Sequence, residues 1–299
     1  MFKFIPYLLL FALTGCDNPV TVNIGGLAPI SFTGSVWAGN VRYAKIQFVG
    51  VDQYGQAQRN SNGDFYGDIH HSDENGLYQG QIQGAYTGSL LAIASFDSYD
   101  VTVQAATDTT DAVTESRKTQ IRCVLPNGCT DESNQAVTYG EWYDASVDFQ
   151  MWSSASSIDG FEQFHISPIT HMATKLAFTG FVTDGTLCLP GTNGLDGDCE
   201  GWLSENTILT PDSIYQANHK LKEFFLLNTG LHRNVAPWYE GISTADEIAE
   251  LESAKHGLIA MTLQKMSSDR LETSMDTLSW WLNSFLSHKG NFYKTALSD

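Results

Sequence analysis

Phe164-His165-Ile166-Ser167-Pro168-Ile169-Thr170 marks the point where the chain turns from strand patterning to helix patterning. Ser167 followed by Pro168 reads as an N-cap and a first-turn proline. The hydroxyl accepts one of the amides that a helix start leaves unpaired, and proline gives up only an N–H that has no partner there. Downstream, Ile169, Met172, Ala173 and Leu176 fall on one helical face. Thr210-Pro211 starts a second helix with Ile214, Ala217, Leu221 and Phe224 or Phe225 inward, closed by Gly230. Thr244 and Glu247 form a capping box, with Asp246 adding negative charge at the positive helix end. Ile248, Leu251, Ala254, Leu258 and Met261 follow at steps of three or four. Ser268 or Asp269 caps a last helix carrying Leu271, Met275, Leu278, Leu282 and Phe285. These stripes predict a small helical bundle over residues 164–299.

Upstream the period is two. Val41, Tyr43 and Lys45 alternate with Ala44, Ile46 and Phe48, after the hairpin chemistry of Gly39-Asn40. Asn75-Gly76 is a second turn, followed by Tyr78, Gly80 and Ile82 alternating with Gln79, Gln81 and Gln83. Leu90 to Phe96 is an apolar run of strand length, and Tyr99, Val101 and Val103 alternate again. Tyr139 to Met151 offers two further strands. Short strands, each ended by a turn, predict an antiparallel β-sandwich over 34–163. The fold class expected is therefore α+β, a β-sandwich followed by a helical bundle.

The N-terminus reads as a secretory signal over residues 1–15. Lys3 supplies the positive end, Ile5 to Leu13 is almost wholly apolar, and small residues lead into Cys16. Leu13-Thr14-Gly15-Cys16 resembles the lipobox of bacterial lipoproteins. The resemblance implies cleavage before Cys16, a diacylglyceryl thioether on its sulfur and an acylated amino group. Residues 16–33, with Pro19, Gly25, Gly26 and Pro29, read as a lipidated tether.

Cys123, Cys129, Cys188 and Cys199 remain, and four cysteines allow three pairings. Local pairs are favoured, because Pro126-Asn127-Gly128 is a strong turn between the first two and a Gly-rich loop joins the last two. Each closed loop stabilises by roughly 2 to 3 kcal/mol. The rival, a four-cysteine zinc site, lacks the tight spacing of such ligands. An exported chain also meets an oxidising compartment.

Acidic residues outnumber basic ones 34 to 16 among 299 residues, a formal charge of -18. Such a surface repels nucleic acid and anionic headgroups, so a nucleic-acid partner is not expected. The lipid is the expected membrane attachment, since no later stretch has the apolar length of a span.

Ala44-Lys45-Ile46-Gln47-Phe48, the Asp52-Gln53-Tyr54-Gly55 turn and Ser72-Asp73-Glu74-Asn75-Gly76-Leu77-Tyr78 carry a resemblance over Gly34 to Ala94. They resemble the carboxypeptidase-regulatory-like, transthyretin-like Ig-type modules of bacterial surface proteins, with Ser72 where the usual signature has Thr. The whole arrangement, with its Cys-Val-Leu-Pro-Asn-Gly-Cys loop and Ile-Ser-Pro-Ile-Thr-His-Met-Ala junction, is similar to a group of gammaproteobacterial envelope lipoproteins. That group implies no established activity. Its members are often longer, and this chain stops soon after Phe292. Asp17, reinforced by Asn18, resembles an inner-membrane retention signal, while the family resemblance points equally to outer-membrane or surface display.

Catalytic signatures are missing: there is no His-Glu-x-x-His, Gly-x-Ser-x-Gly or Walker-type loop. His70-His71 with Asp73 reads as a solvated turn, because neighbours on a strand point to opposite faces. His165 and His171 flank the junction, where the second is expected to bond backbone. Asn193 to Glu200 is rich in oxygen ligands and is the one place a calcium ion is considered; no cofactor is expected elsewhere, and Asp52, Asn60, Asn62 and Asp64 get the same caution. Among the tryptophans, Trp37, Trp142, Trp152, Trp280 and Trp281 read as core or edge, while Trp202 and Trp238 are the better exposed candidates for stacking on sugars. The expected function is a non-enzymatic envelope lipoprotein that binds a protein partner or surface polymer. The alternatives are a polymer hydrolase using carboxylates such as Asp196 and Asp198, and a calcium-dependent adhesion module.

Overall fold

The computed structural model describes residues 30–51, 69–82, 88–104, 112–131, 133–157, 163–179, 209–227, 231, 247–270 and 274–287. The first strands are β1 (Ile30–Ser35), β2 (Val41–Arg42), β3 (Lys45–Val51), β4 (Ile69–His71), β5 (Leu77–Ile82) and β6 (Ser89–Ser95). After them come β7 (Ser98–Gln104), β8 (Val113–Lys118), β9 (Gln120–Arg122), β10 (Cys129–Thr130), β11 (Ala136–Val137), β12 (Trp142–Asp144) and β13 (Gln150–Ala155). The helices among the described residues are α1 (Pro168–Thr179), α2 (Pro211–Phe224), α3 (Glu247–Arg270) and α4 (Ser274–Ser287). The chain is a mixed α+β structure with its strands in several antiparallel sheets.

The central sheet runs β13-β6-β3-β4. One of its faces carries Ile46 and Phe48 against the β1-β5 pair, where the Phe32 and Phe48 rings are 4.8 Å apart. A Cβ on Gly80 would fall 2.3 Å from Phe48 Cε2, so glycine there lets the two layers meet. The other face carries Val49, Val51, Leu91, Ile93 and Trp152 against α1 and α2 through Ala177, Ile214 and Ala217. Cover on both faces is why Leu90 to Ala94 is one apolar run, whereas β5 alternates buried and exposed residues.

Two helix starts follow the sequence, while Thr244 of the expected capping box lies outside the described residues. Ser167 and Thr170 cap each other, the Thr170 amide donating to Ser167 Oγ and the Ser167 amide to Thr170 Oγ1. Thr210 caps α2, with Ile214, Ala217 and Leu221 buried along it. Its companion Phe224 is exposed and Phe225 half-buried, the second packing on the core.

Four expectations are corrected. The tether does not extend to residue 33, because Ile30 to Ser35 is already paired with β5. The strand read over Val41 to Phe48 is broken at Tyr43, whose φ of 60° ends β2 before β3 begins. The stripe read along α3 is misplaced: Leu258 is 63% exposed, and Ser253, His256, Ala260, Leu263, Gln264 and Ser267 are buried instead. The last helix begins at Ser274, since Ser268 and Asp269 still belong to α3. The boundary at 163/164 is a change of secondary structure only. One buried cluster runs across it from Phe32 and Phe48 to Leu263 and Leu278.

Candidate functional site

The junction segment lies beside β1 in parallel, through bridges Thr33 to Gln163 and Val36 to Ile166. The amides of Phe164 and Ile166 donate to the carbonyls of Thr33 and Ser35. A face built from β5, β1 and this segment floors a groove of about 600 Å³, lined by Thr33, Ser35, Leu77, Gln79, Gln163 and His165, with His71 and Asp73 also on its wall. Alternation along each strand puts Phe32 and Tyr78 into the core and leaves hydroxyls and amides facing the groove. The Tyr78 hydroxyl donates to the carbonyl of Phe164, and its burial pushes the phenol well above its usual range.

Ser35 and His165 form a hydrogen bond of 2.7 Å between Oγ and Nδ1. Trp37 stacks on the imidazole with centroids 5.2 Å apart, and His256 of α3 meets the Trp37 ring edge-on at 5.7 Å. Burial pushes His165 down to about 4, so the ring is neutral at pH 7. A nucleophilic pair needs an accessible hydroxyl, a base of near-neutral pKa and a group that orients the base. Ser35 is 1% exposed, and His165 Nε2 has no hydrogen-bond partner among the described residues. The pair is therefore a buried, hydrogen-bonded part of the groove's lining.

His70 and His71 lie half-buried in β4, paired with β3, and not in the solvated turn expected for them; as neighbours on a strand they face opposite ways. His71 Nε2 bonds Asp97 Oδ2 at 2.7 Å and stacks on Tyr99, whereas His70 turns to the edge of Phe48. His171 lies beside Trp152 and has no Nδ1 partner among the described residues, so the expected backbone bond from that atom is not made. Its burial, and then the charge of Lys175, hold it well below the ordinary imidazole range. Lys175 lies over the Trp152 ring at 3.9 Å, and burial lowers its amine to about 8.

Cys123 and Cys129 are joined in a disulfide, Cα to Cα 5.7 Å. Gly128 turns the loop at φ 86°, its amide donating to the Leu125 carbonyl. Cys16, Cys188, Cys199, the Asn193 to Glu200 loop, Trp202, Trp238 and the residues Asp52, Asn60, Asn62 and Asp64 lie outside the described residues. Among the described residues no group of His, Cys, Asp or Glu is placed to hold a metal ion, and no helix is long and apolar enough to cross a membrane.

Ser35, Thr33, Gln79 and Gln163 were not singled out by sequence reading. The only signal was the polar alternation of β5; Ser35 and His165 are 130 residues apart, and nothing local links them. A scan of protein-family models matches none of them to this chain, and no curated protein shows significant similarity to it.

Proposed function

We propose that this chain is a bacterial envelope lipoprotein, lipidated on Cys16, whose folded part is a non-enzymatic binding module. The observation that carries the binding reading is the groove over β1, β5 and residues 163–165. Its wall offers the uncharged side chains of Thr33, Gln79 and Gln163 beside His71 and Asp73, and the buried Ser35–His165 pair has no orienting carboxylate on His165 Nε2 among the described residues. Leu13-Thr14-Gly15-Cys16 supports the anchor. The proposal includes kinship with the gammaproteobacterial lipoproteins named above, an Ig- or transthyretin-like sandwich and a helical bundle. The Phe32–Phe48 contact between sheets and the pairing of α1 with α2 and α3 with α4 are consistent with that architecture. The partner is a protein or a surface polymer of the envelope, at the inner or outer membrane.

Two measurements test it. Labelled palmitate fed to a Gram-negative host should enter the wild-type chain and not Cys16→Ser; an unlabelled wild type removes the anchor. A fluorophosphonate probe for activated serines should leave the full chain unmodified. Labelling that disappears in Ser35→Ala replaces the binding reading with a hydrolase.

A further inference from the structure

Residues of β9 and β12 and of the β10-β11 hairpin, which starts at the disulfide's Cys129, line a second cleft of about 420 Å³. Trp142 lines it, together with Gln120, Ser133, Gln135, Glu141 and Asp144. We propose that this cleft binds an uncharged glycan, with Trp142 as the stacking ring. This deepens the binding reading above by naming a ligand class, and it concerns a different site.

The ring is held for that purpose. The Arg42 guanidinium sits over Trp142 at 4.4 Å, and Gln120 Oε1 accepts from both Arg42 Nε at 2.9 Å and Nη2 at 2.5 Å. Arg42 in turn lies 5.2 Å from the Tyr43 ring, which Arg117 faces at 5.0 Å. Tyr43 keeps its positive φ within this cation–aromatic stack. A pre-set ring loses little conformational freedom when a ligand stacks on it.

Ser133, Gln135 and Glu141 stand exposed around the cleft and offer donors and acceptors of the kind sugar hydroxyls require, while Gln120 is engaged by Arg42 and Asp144 and braces the wall. Gln120 Nε2 donates to Asp144 Oδ1 at 2.9 Å, and Lys118 Nζ to Asp144 Oδ2 at 2.5 Å. Desolvation pushes the Asp144 carboxyl up, but these two hydrogen bonds and the lysine charge outweigh it and hold the group below its usual range. Asp144 is thus an ionised acceptor at the cleft wall. Lys118 is engaged by Asp144, and Glu141 and Asp131 add negative charge, which disfavours uronic-acid or phosphate-bearing chains.

The test uses the full chain in detergent, with cellulose-, starch- and chitin-derived oligosaccharides as probes and calorimetry and tryptophan fluorescence as readouts. Alginate oligosaccharide and oligolysine are the charged comparisons. At least one uncharged probe should bind saturably. Trp142→Ala should weaken it by roughly tenfold or more, and Gln135→Ala, on the exposed hairpin, should weaken it without changing the fold. The idea is overturned if no uncharged probe binds, if only oligolysine or alginate binds, or if both variants bind as the wild type does. A chain that takes up palmitate and yet binds no glycan overturns this inference alone.

Discussion

Gln264 on α3 and Val124 beside the disulfide stand 140 residues apart, and the Gln264 Oε1 accepts the Val124 amide at 2.9 Å. The same side chain donates through Nε2 to the carbonyls of Ala38 and Arg122, each at 2.8 Å. One amide therefore satisfies three backbone groups of the β region from a helix near the C-terminus. Ser268, one turn on, meets Thr130 at 2.8 Å between hydroxyls. Helix α3 docks by saturated hydrogen bonding as much as by apolar contact.

Replacing Gln264 by Leu should therefore destabilise the fold despite the gain in hydrophobicity. Gln264 is 2% exposed, so its partners would be left buried and unpaired. The expected cost is about 2 to 4 kcal/mol, read as a lower urea midpoint with unchanged slope.

Reducing the Cys123–Cys129 disulfide, or replacing both cysteines by Ser, should cost about 2 kcal/mol, the loop-entropy value for so short a closure. A thermal melt of the double variant should show it. The Met261 contact on α3 should loosen too, because Cys123, Leu125 and Cys129 form one small cluster with it.

Stability should fall as pH drops from 6.5 toward about 4. The folded His165 resists protonation down to about 4, while the unfolded ring takes its proton near 6.5. The unfolded state binds more protons within that window, which pulls the equilibrium away from the native state. A shift of this size corresponds to about 3 kcal/mol, and His171 acts in the same direction. His165→Gln, which cannot titrate, should give a flatter denaturation profile between those pH values than the wild type.

Lys175 acts on the basic side. Its amine falls from 10.5 to about 8 on burial, so wild-type stability should rise across that interval, where the unfolded amine still holds its proton. At pH 7 the buried charge is a cost only partly offset by the Trp152 ring. Lys175→Met should then gain on the order of 1 to 3 kcal/mol at pH 7, with the gain shrinking toward pH 10.5 in parallel chemical melts.

What the sequence by itself determined is local. The N-cap at Ser167, the Thr210-Pro211 start, the alternation of β5 and the turn that closes Cys123 to Cys129 are readable because their partners lie within a few residues. The tertiary structure alone decided that α3 buries Ser253, His256 and Gln264 in place of Leu258, that residues 163–166 run beside β1, and that Ser35 meets His165. The physical reason is the same in each case. Hydropathy periodicity detects apolar burial, whereas a polar group is buried at tolerable cost only when its partner arrives from elsewhere in the chain. The groove and the cleft each draw their lining from segments far apart in the chain, which is why neither was visible before the strands and helices were brought together.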